Sequence, residues 1–267
     1  MNDTVLRRNN VSIFGKGNKP MLFAHGFGCD QNMWRFITPA FEDDYKIILF
    51  DYVGAGKSDK SSYNPDRYAT LEGYAQDILE ICEELKLEKA IFVGHSVSGM
   101  IGLLAAILKT AYFDKLIMIG PSPCYIDDAG YRGGFAKADI ENLLTTMEKN
   151  YIGWANFLGP AIMGNEERPE LSGELTESFC STDPVIAHQF AEATFFSDNR
   201  TDLPHSPVPS LVLQCSDDII APLEVGNYMA QHLPMSTLRI LKATGHCPHM
   251  SAPEETIKYI KEYLSLK

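Results

Sequence analysis

Ile91-Phe92-Val93-Gly94-His95-Ser96-Val97-Ser98-Gly99 is the stretch on which the reading turns. An apolar run, Ala90–Val93, has the length and composition of a strand buried on both faces. A sharp turn follows, and Met100–Leu108 continues as an apolar helix. A strand that turns directly into a helix lifts the serine between them clear of the backbone, as in a nucleophile elbow. The residues flanking such a turn must be small so that strand and helix can approach. Gly94 meets this on one side. On the other, the usual G-x-S-x-G pattern fails, because position 98 is serine and the glycine comes at 99. Serine is small enough to be tolerated, so the turn reads as a variant elbow with Ser96 at its tip.

Outward from this turn, short apolar runs alternate with longer helical patterns, the rhythm of a mostly parallel sheet with crossover helices. The candidate strands are 21–24, 47–50, 90–93, 116–119, 211–214 and 238–241, all expected to be buried on both faces. Tyr74, Ile78, Cys82 and Leu85 step by four and three along a helix, with Glu72, Asp77, Glu80 and Glu84 elsewhere on its wheel. Residues 253–264 read as a closing helix with proline near its start. Between about 123 and 205 the rhythm breaks. Helical segments at 134–149, 151–163, 170–180 and 184–195 replace strands, and Asp183-Pro184 reads as an N-cap followed by first-turn proline. Such an insert is most simply a lid (123–205) on a core formed by 1–122 and 206–267. Ligands of open α/β sheets bind at the carboxyl ends of the strands, where a lid is useful.

A serine hydroxyl is a poor nucleophile and needs a base, which in turn needs an orienting acid. After the strand 211–214 comes Cys215-Ser216-Asp217-Asp218-Ile219-Ile220-Ala221-Pro222, and after 238–241 comes Ala243-Thr244-Gly245-His246-Cys247-Pro248-His249. Serine, acid and histidine in that chain order, each past a strand end, is the order of the α/β-hydrolase fold. Asp218 is preferred as the acid because of its spacing to Pro222, with Asp217 holding the turn. His246, directly after Gly245, is preferred as the base, with His249 packing or capping the last helix. Two backbone N–H groups must face the developing oxyanion. Val97 supplies one, and Phe27 in Ala24-His25-Gly26-Phe27-Gly28 supplies the other.

The remaining features narrow the class. The 267 residues carry a formal net charge of −12, which argues against nucleic acid and anionic membrane partners. No run approaches the ~18 apolar residues of a membrane span, and the N-terminal segment lacks the apolar stretch of a signal peptide. The six cysteines show no CxxC pair and read as free thiols, pointing to the cytoplasm. Gly54-Ala55-Gly56-Lys57-Ser58 imitates a phosphate-binding loop, but the first glycine of that pattern falls on Asp51. It reads instead as a loop buttressing the site. No histidine spacing suggests a metal, and no cofactor is expected.

With these residues in view, the chain resembles the RsbQ-like α/β-hydrolases, bacterial energy-stress regulators of the sigma-B response, and their plant relatives, the karrikin and strigolactone receptors. The resemblance rests on Phe27-Gly28-Cys29-Asp30-Gln31, Leu49-Phe50-Asp51-Tyr52-Val53-Gly54, Val93-Gly94-His95-Ser96-Val97 and Gly120-Pro121-Ser122-Pro123-Cys124-Tyr125. It extends through Glu148–Trp154, Phe179–Pro184 and Gly245–Ser251. It implies a four-helix lid over a closed apolar pocket lined by Phe27, Tyr125, Phe135, Leu143, Trp154, Leu158, Phe195 and Ile219. It further implies a small hydrophobic ligand and a PAS-domain phosphatase partner. Ser98 and His25 look more like the plant receptors, whereas the body of the lid looks bacterial. The expected activity is hydrolysis of a small ester, lactone or similar acyl compound. The alternative is a ligand sensor whose hydrolysis is slow or vestigial.

Overall fold

In the computed structural model, which describes residues 4–265, one sheet of seven strands organises the chain. Residues 1–3 and 266–267, the ends of the expected core, lie outside the described residues. The strands are β1 (Ser12–Phe14), β2 (Lys19–Ala24), β3 (Tyr45–Leu49), β4 (Ala90–His95), β5 (Phe113–Ile119), β6 (Ser210–Asp217) and β7 (Ser236–Thr244). Their order is β1-β3-β2-β4-β5-β6-β7, with β1 antiparallel to β3 and every other pairing parallel. Met21–Ala24 of β2 and Ala90–Val93 of β4 are fully buried, as unbroken apolar runs covered on both faces must be.

The order places the site. From β2 the chain moves outward to β3, whereas from β4 it moves the opposite way to β5. The loops leaving these two neighbouring strands therefore diverge, opening a crevice at the carboxyl ends of β2 and β4. The His25–Gly28 loop and the Ser96 turn stand on its two sides.

One strand departs from the expectation of full burial, and one has no counterpart among the expected strands. β7 spans nine residues and is the last strand of the sheet, paired on one side only, and Ile240 is 42% exposed there. β1 was not foreseen. Only three residues long, with Ile13 and Phe14 exposed, it has no periodicity to read.

The helices are α1 (Thr4–Arg8), α2 (Leu71–Glu84), α3 (Val97–Leu108), α4 (Lys137–Lys149), α5 (Tyr151–Met163), α6 (Pro169–Ser181), α7 (Pro184–Phe195), α8 (Leu223–His232), α9 (Pro248–Ser251) and α10 (Pro253–Ser265). Tyr74, Ile78 and Cys82 of α2 face the core as their spacing predicts. Asp77 is not on the outer face with the other acids. It is fully buried, where Arg8, Arg67, Asn9 and Tyr68 converge on its carboxylate. An unpaired charge would not be tolerated there. Four helices, α4 to α7, fill the interval between β5 and β6. The first begins three residues later than predicted: Gly134 bends with φ +113°, Phe135 forms an isolated bridge with Ile126, and Ala136 is extended. Asp183 caps α7 through Val185 and Ile186 N–H, with Pro184 in the first turn. All six cysteines are free. Among the described residues no helix is long and apolar enough to cross a membrane.

Candidate active site

The elbow is strained as its function would require. Ser96 has φ 57° and ψ −126°, a region costly to a residue with a Cβ by about 1–3 kcal/mol. Its N–H donates to the Ile119 carbonyl at 2.8 Å, which holds the turn against β5. A Cβ at Gly94 would lie 2.6 Å from the Ser98 carbonyl oxygen, so the small-residue requirement on that side is absolute. Ser98, by contrast, fits because its side chain points into bonds of its own, to Tyr52 and His25.

Ser96, His246 and Asp218 are brought together. His246 Nε2 lies 2.7 Å from Ser96 Oγ, and His246 Nδ1 lies 2.7 Å from Asp218 Oδ2. An ionised carboxylate only accepts, so Nδ1 carries the proton and Nε2 accepts from the Ser96 hydroxyl. The other carboxylate oxygen, Oδ1, accepts from the N–H groups of Ile220 at 2.9 Å and Ala221 at 3.1 Å. Asp217 is exposed and uses only its backbone carbonyl, which accepts from Gly245 N–H at 2.7 Å and so holds the turn beneath His246. The His246 backbone is gripped at both ends: its N–H donates to the Ile162 carbonyl at the end of α5, and its carbonyl accepts from His95 Nε2 at 2.8 Å. His249 is fully buried and packs against Trp34 and His95. Burial lowers the pKa of His249 to about 3 and also holds His95 well below its ordinary value.

The loop after β2 faces this group. Val97 opens α3, so its N–H is among those a helix leaves without an internal acceptor. Phe27 lines the cavity beside Ser96. Gly28 has φ +70°, and a Cβ there would lie 1.9 Å from the Phe179 ring, so only glycine lets α6 close on this loop. Asp51 is the buttress. Its carboxylate accepts from Gln31 N–H, Lys57 N–H and the Asn10 amide at 2.7–2.9 Å. Ser58 Oγ accepts from Gly54 N–H and donates to Ala55 O, so the phosphate-loop look-alike uses these donors internally.

Over Ser96 lies an apolar cavity of about 20 Å³. Of the expected lining, Phe27, Tyr125 and Phe195 border it. Ile219 does not: it is 52% exposed, because the turn that aims Ile220 and Ala221 N–H at Asp218 directs Ile220 inward instead. Trp154 and Leu158 are buried one layer behind, Trp154 packing between Tyr151, Phe27 and Phe179. Leu143 and Phe135 are half-buried, Phe135 in edge-on contact with Phe195, its ring centroid 6.4 Å away. In their place Ile162, Leu175, Phe179 and Thr194 form the roof. Leu171, Leu175 and Phe179 step by four along one buried face of α6, a spacing legible in the sequence. The Tyr125 hydroxyl faces Ser96 without a bond of good geometry, and Thr194 Oγ1 likewise has no partner. Roof and floor are joined by Ser178 Oγ to Gly28 O at 2.7 Å and by a two-pronged Arg35–Glu174 pair at 2.6 Å.

Sequence spacing gave no metal ligands, yet His95, Cys247 and His249 place ligand atoms within 4.8 Å of one another. Spacing rules miss such a trio because His95 comes from a distant strand. A tetrahedral zinc ion holds such atoms roughly 3.5 Å apart, so this envelope is looser than a formed site.

Comparison with known proteins agrees with the geometry. A model of the alpha/beta hydrolase fold family matches residues 19–253. A hydrolase from Oleispira antarctica, 45% identical, has a solved structure similar at a TM-score of 0.97, covering 99% of this chain and 97% of that one. The Karrikin insensitive 2 receptor CA of Petunia hybrida is 36% identical over 257 residues, 96% of this chain and 95% of the receptor. A strigolactone esterase of Pisum sativum is 38% identical over 255 residues, 95% of each chain. A family match over most of its length makes this chain a member of the alpha/beta hydrolase fold family.

Proposed function

We propose that the protein is a serine hydrolase that cleaves a small, uncharged ester or lactone in a closed apolar cavity. The observation that carries this reading is the unbroken relay Asp218 Oδ2–His246 Nδ1, His246 Nε2–Ser96 Oγ, both at 2.7 Å. Ser96 Oγ attacks the acyl carbon as its proton passes to His246 Nε2. Asp218 holds the imidazole in the required tautomer and stabilises the imidazolium. Phe27 and Val97 N–H groups bind the tetrahedral oxyanion, each contributing on the order of 10²–10³ in turnover. His246 then returns the proton to the leaving alkoxide, which in a lactone stays tethered to the acyl group. Water, deprotonated by the same nitrogen, attacks the acyl-enzyme, and Ser96 leaves with its proton restored.

The apolar lining supports a small substrate without charge. The unpartnered Tyr125 and Thr194 hydroxyls would hydrogen-bond a second oxygen on it. A second reading, a ligand sensor with slow hydrolysis, draws support from the small room above Ser96 and from the lid bonds that close it. On the RsbQ-like resemblance, such a sensor would serve stress signalling by passing a ligand or product to a PAS-domain phosphatase.

The test is hydrolysis of short-chain p-nitrophenyl esters by wild type and Ser96→Ala, with intact mass after a serine-directed phosphonylating reagent. Activity lost in the variant and a single adduct on Ser96 are expected. Equal background rates and no adduct would discard the hydrolase reading and leave the sensor.

A further inference from the structure

Ser98 occupies the position where the elbow pattern usually has glycine, and it is fully buried. Its hydroxyl donates to the His25 carbonyl at 2.5 Å, which leaves it to accept from the Tyr52 hydroxyl at 2.8 Å. Tyr52 returns to the same histidine, its backbone N–H donating to His25 Nε2 at 3.1 Å. With Nε2 an acceptor, His25 Nδ1 carries the proton and donates it to the Gly26 carbonyl at 2.8 Å. Ser98, Tyr52 and His25 thus close a ring of directed hydrogen bonds.

Two features of that ring bear on the reaction. The Gly26 carbonyl and the Phe27 N–H belong to one planar trans peptide and point in opposite directions. Holding the carbonyl therefore aims the N–H. Ser98 is also the immediate neighbour of Val97, in the first turn of α3. We infer that Ser98 is a positioning residue for the oxyanion hole: its hydroxyl ties the helix carrying the Val97 N–H to the loop carrying the Phe27 N–H. The inference rests on the serine-hydrolase reading above. It accounts for the departure from G-x-S-x-G as an added strut, since a glycine would leave the His25 carbonyl and the Tyr52 hydroxyl without this partner. Both residues are fully buried, so water does not readily replace it. Burial also raises the pKa of the Tyr52 phenol, which keeps it a donor.

The hydroxyl could merely satisfy buried polar groups, and the test separates that role from positioning. Ser98→Ala and Ser98→Gly are compared with wild type in p-nitrophenyl ester turnover and in inhibition by a small alkyl boronic acid, which forms a tetrahedral anion on the serine. Binding of the product carboxylic acid and thermal melting are measured alongside. A misaimed donor is expected to lower kcat by about 10- to 100-fold. KM and product binding should stay within about threefold, and the boronate Ki should rise in step with the loss in kcat/KM. Tyr52→Phe keeps the Ser98–His25 bond and should lower the melting temperature with a much smaller loss of kcat. Glycine is the residue most elbows carry, so that variant keeps the test open if the alanine variant does not fold. Full kcat in either Ser98 variant, with only the melting temperature reduced, would overturn the inference alone. Absence of both turnover and boronate binding in wild type would overturn the hydrolase reading, and the inference with it.

Discussion

Replacing Asp218 by asparagine should inactivate the protein through the tautomer of His246 rather than through loss of fold. Oδ1 of Asp218 accepts two backbone N–H bonds, from Ile220 and Ala221, while Oδ2 accepts from His246 Nδ1. An asparagine has one oxygen and one amide nitrogen for these two places. Turning the nitrogen toward Ile220 and Ala221 would leave two buried donors unsatisfied, at about 1–3 kcal/mol each. The oxygen therefore stays with the backbone and the amide N–H faces Nδ1. His246 must then accept at Nδ1 and carry its proton on Nε2, aimed at a hydroxyl it can no longer deprotonate. The expected loss in kcat is roughly 10⁴, or about 5.5 kcal/mol of transition-state stabilisation. KM should change by less than about threefold, because no residue lining the cavity is altered. Initial rates on p-nitrophenyl butyrate, with melting curves to establish folding, measure this directly. Asp217→Asn is the control. Its side chain is exposed and only its backbone carbonyl is used, so its rate should stay within about twofold of wild type. Asp218→Asn retaining a tenth or more of the wild-type rate, or Asp217→Asn falling as far, would refute the reasoning.

Three further outcomes are expected. His249 stays neutral in the folded protein with a pKa of about 3, so the unfolded chain binds more protons below about pH 6.5 and stability falls as pH drops from there toward 3. His249→Phe should therefore flatten the decline in melting temperature between pH 7 and pH 5, and an unchanged slope would refute this. Tyr125→Phe combined with Thr194→Val should reduce any preference for p-nitrophenyl 4-oxopentanoate over the pentanoate by about tenfold. A preserved ratio of kcat/KM values would show that these hydroxyls do not read the second oxygen. Arg35→Ala removes a partly exposed pair worth about 0.2–1 kcal/mol. It should speed phosphonylation of Ser96 by up to about fivefold with a melting shift of at most about 4 °C; an unchanged rate would mean the lid opens elsewhere.

The sequence was most legible where one physical requirement dominates. Continuous burial marked β2 and β4, and small flanks with a buried strand marked the Ser96 turn. The expected partners after β6 and β7 stand within hydrogen-bond reach of it. Legibility failed where residues act through partners far away in the chain. Asp77 looks like a surface acid until Arg8 and Arg67 are seen to converge on it. Ile219 and Ile220 are indistinguishable by composition, and only the turn that serves Asp218 decides which one faces the cavity. The lid lining was mostly misplaced, since helical spacing tells which face is buried but not whether that face meets the cavity or the layer behind it. Ser98 read as a tolerated flaw in a motif, because its partners lie in the loop after β2 and just past β3.

On the proposed serine-hydrolase reading, the bond between His246 N–H and the Ile162 carbonyl would couple access to reactivity. Asn165 reinforces it by donating to the Thr244 carbonyl, and Gly245 sits so close to Met163 that any side chain there would strike its carbonyl. The end of α5 thus holds the backbone of the proposed base, His246, and also borders the cavity through Ile162. Swinging α5 outward removes a hydrogen bond from the backbone that carries the imidazole. An opening led by α5 would stall the chemistry until it reclosed, whereas one led by α6 would admit substrate with the base still seated. A disulfide pinning α5 to the core should accordingly leave turnover intact, and one pinning α6 should stop it. The converse result would place the moving half of the roof on α5 and make the open state silent, so that the serine meets water only behind a closed door.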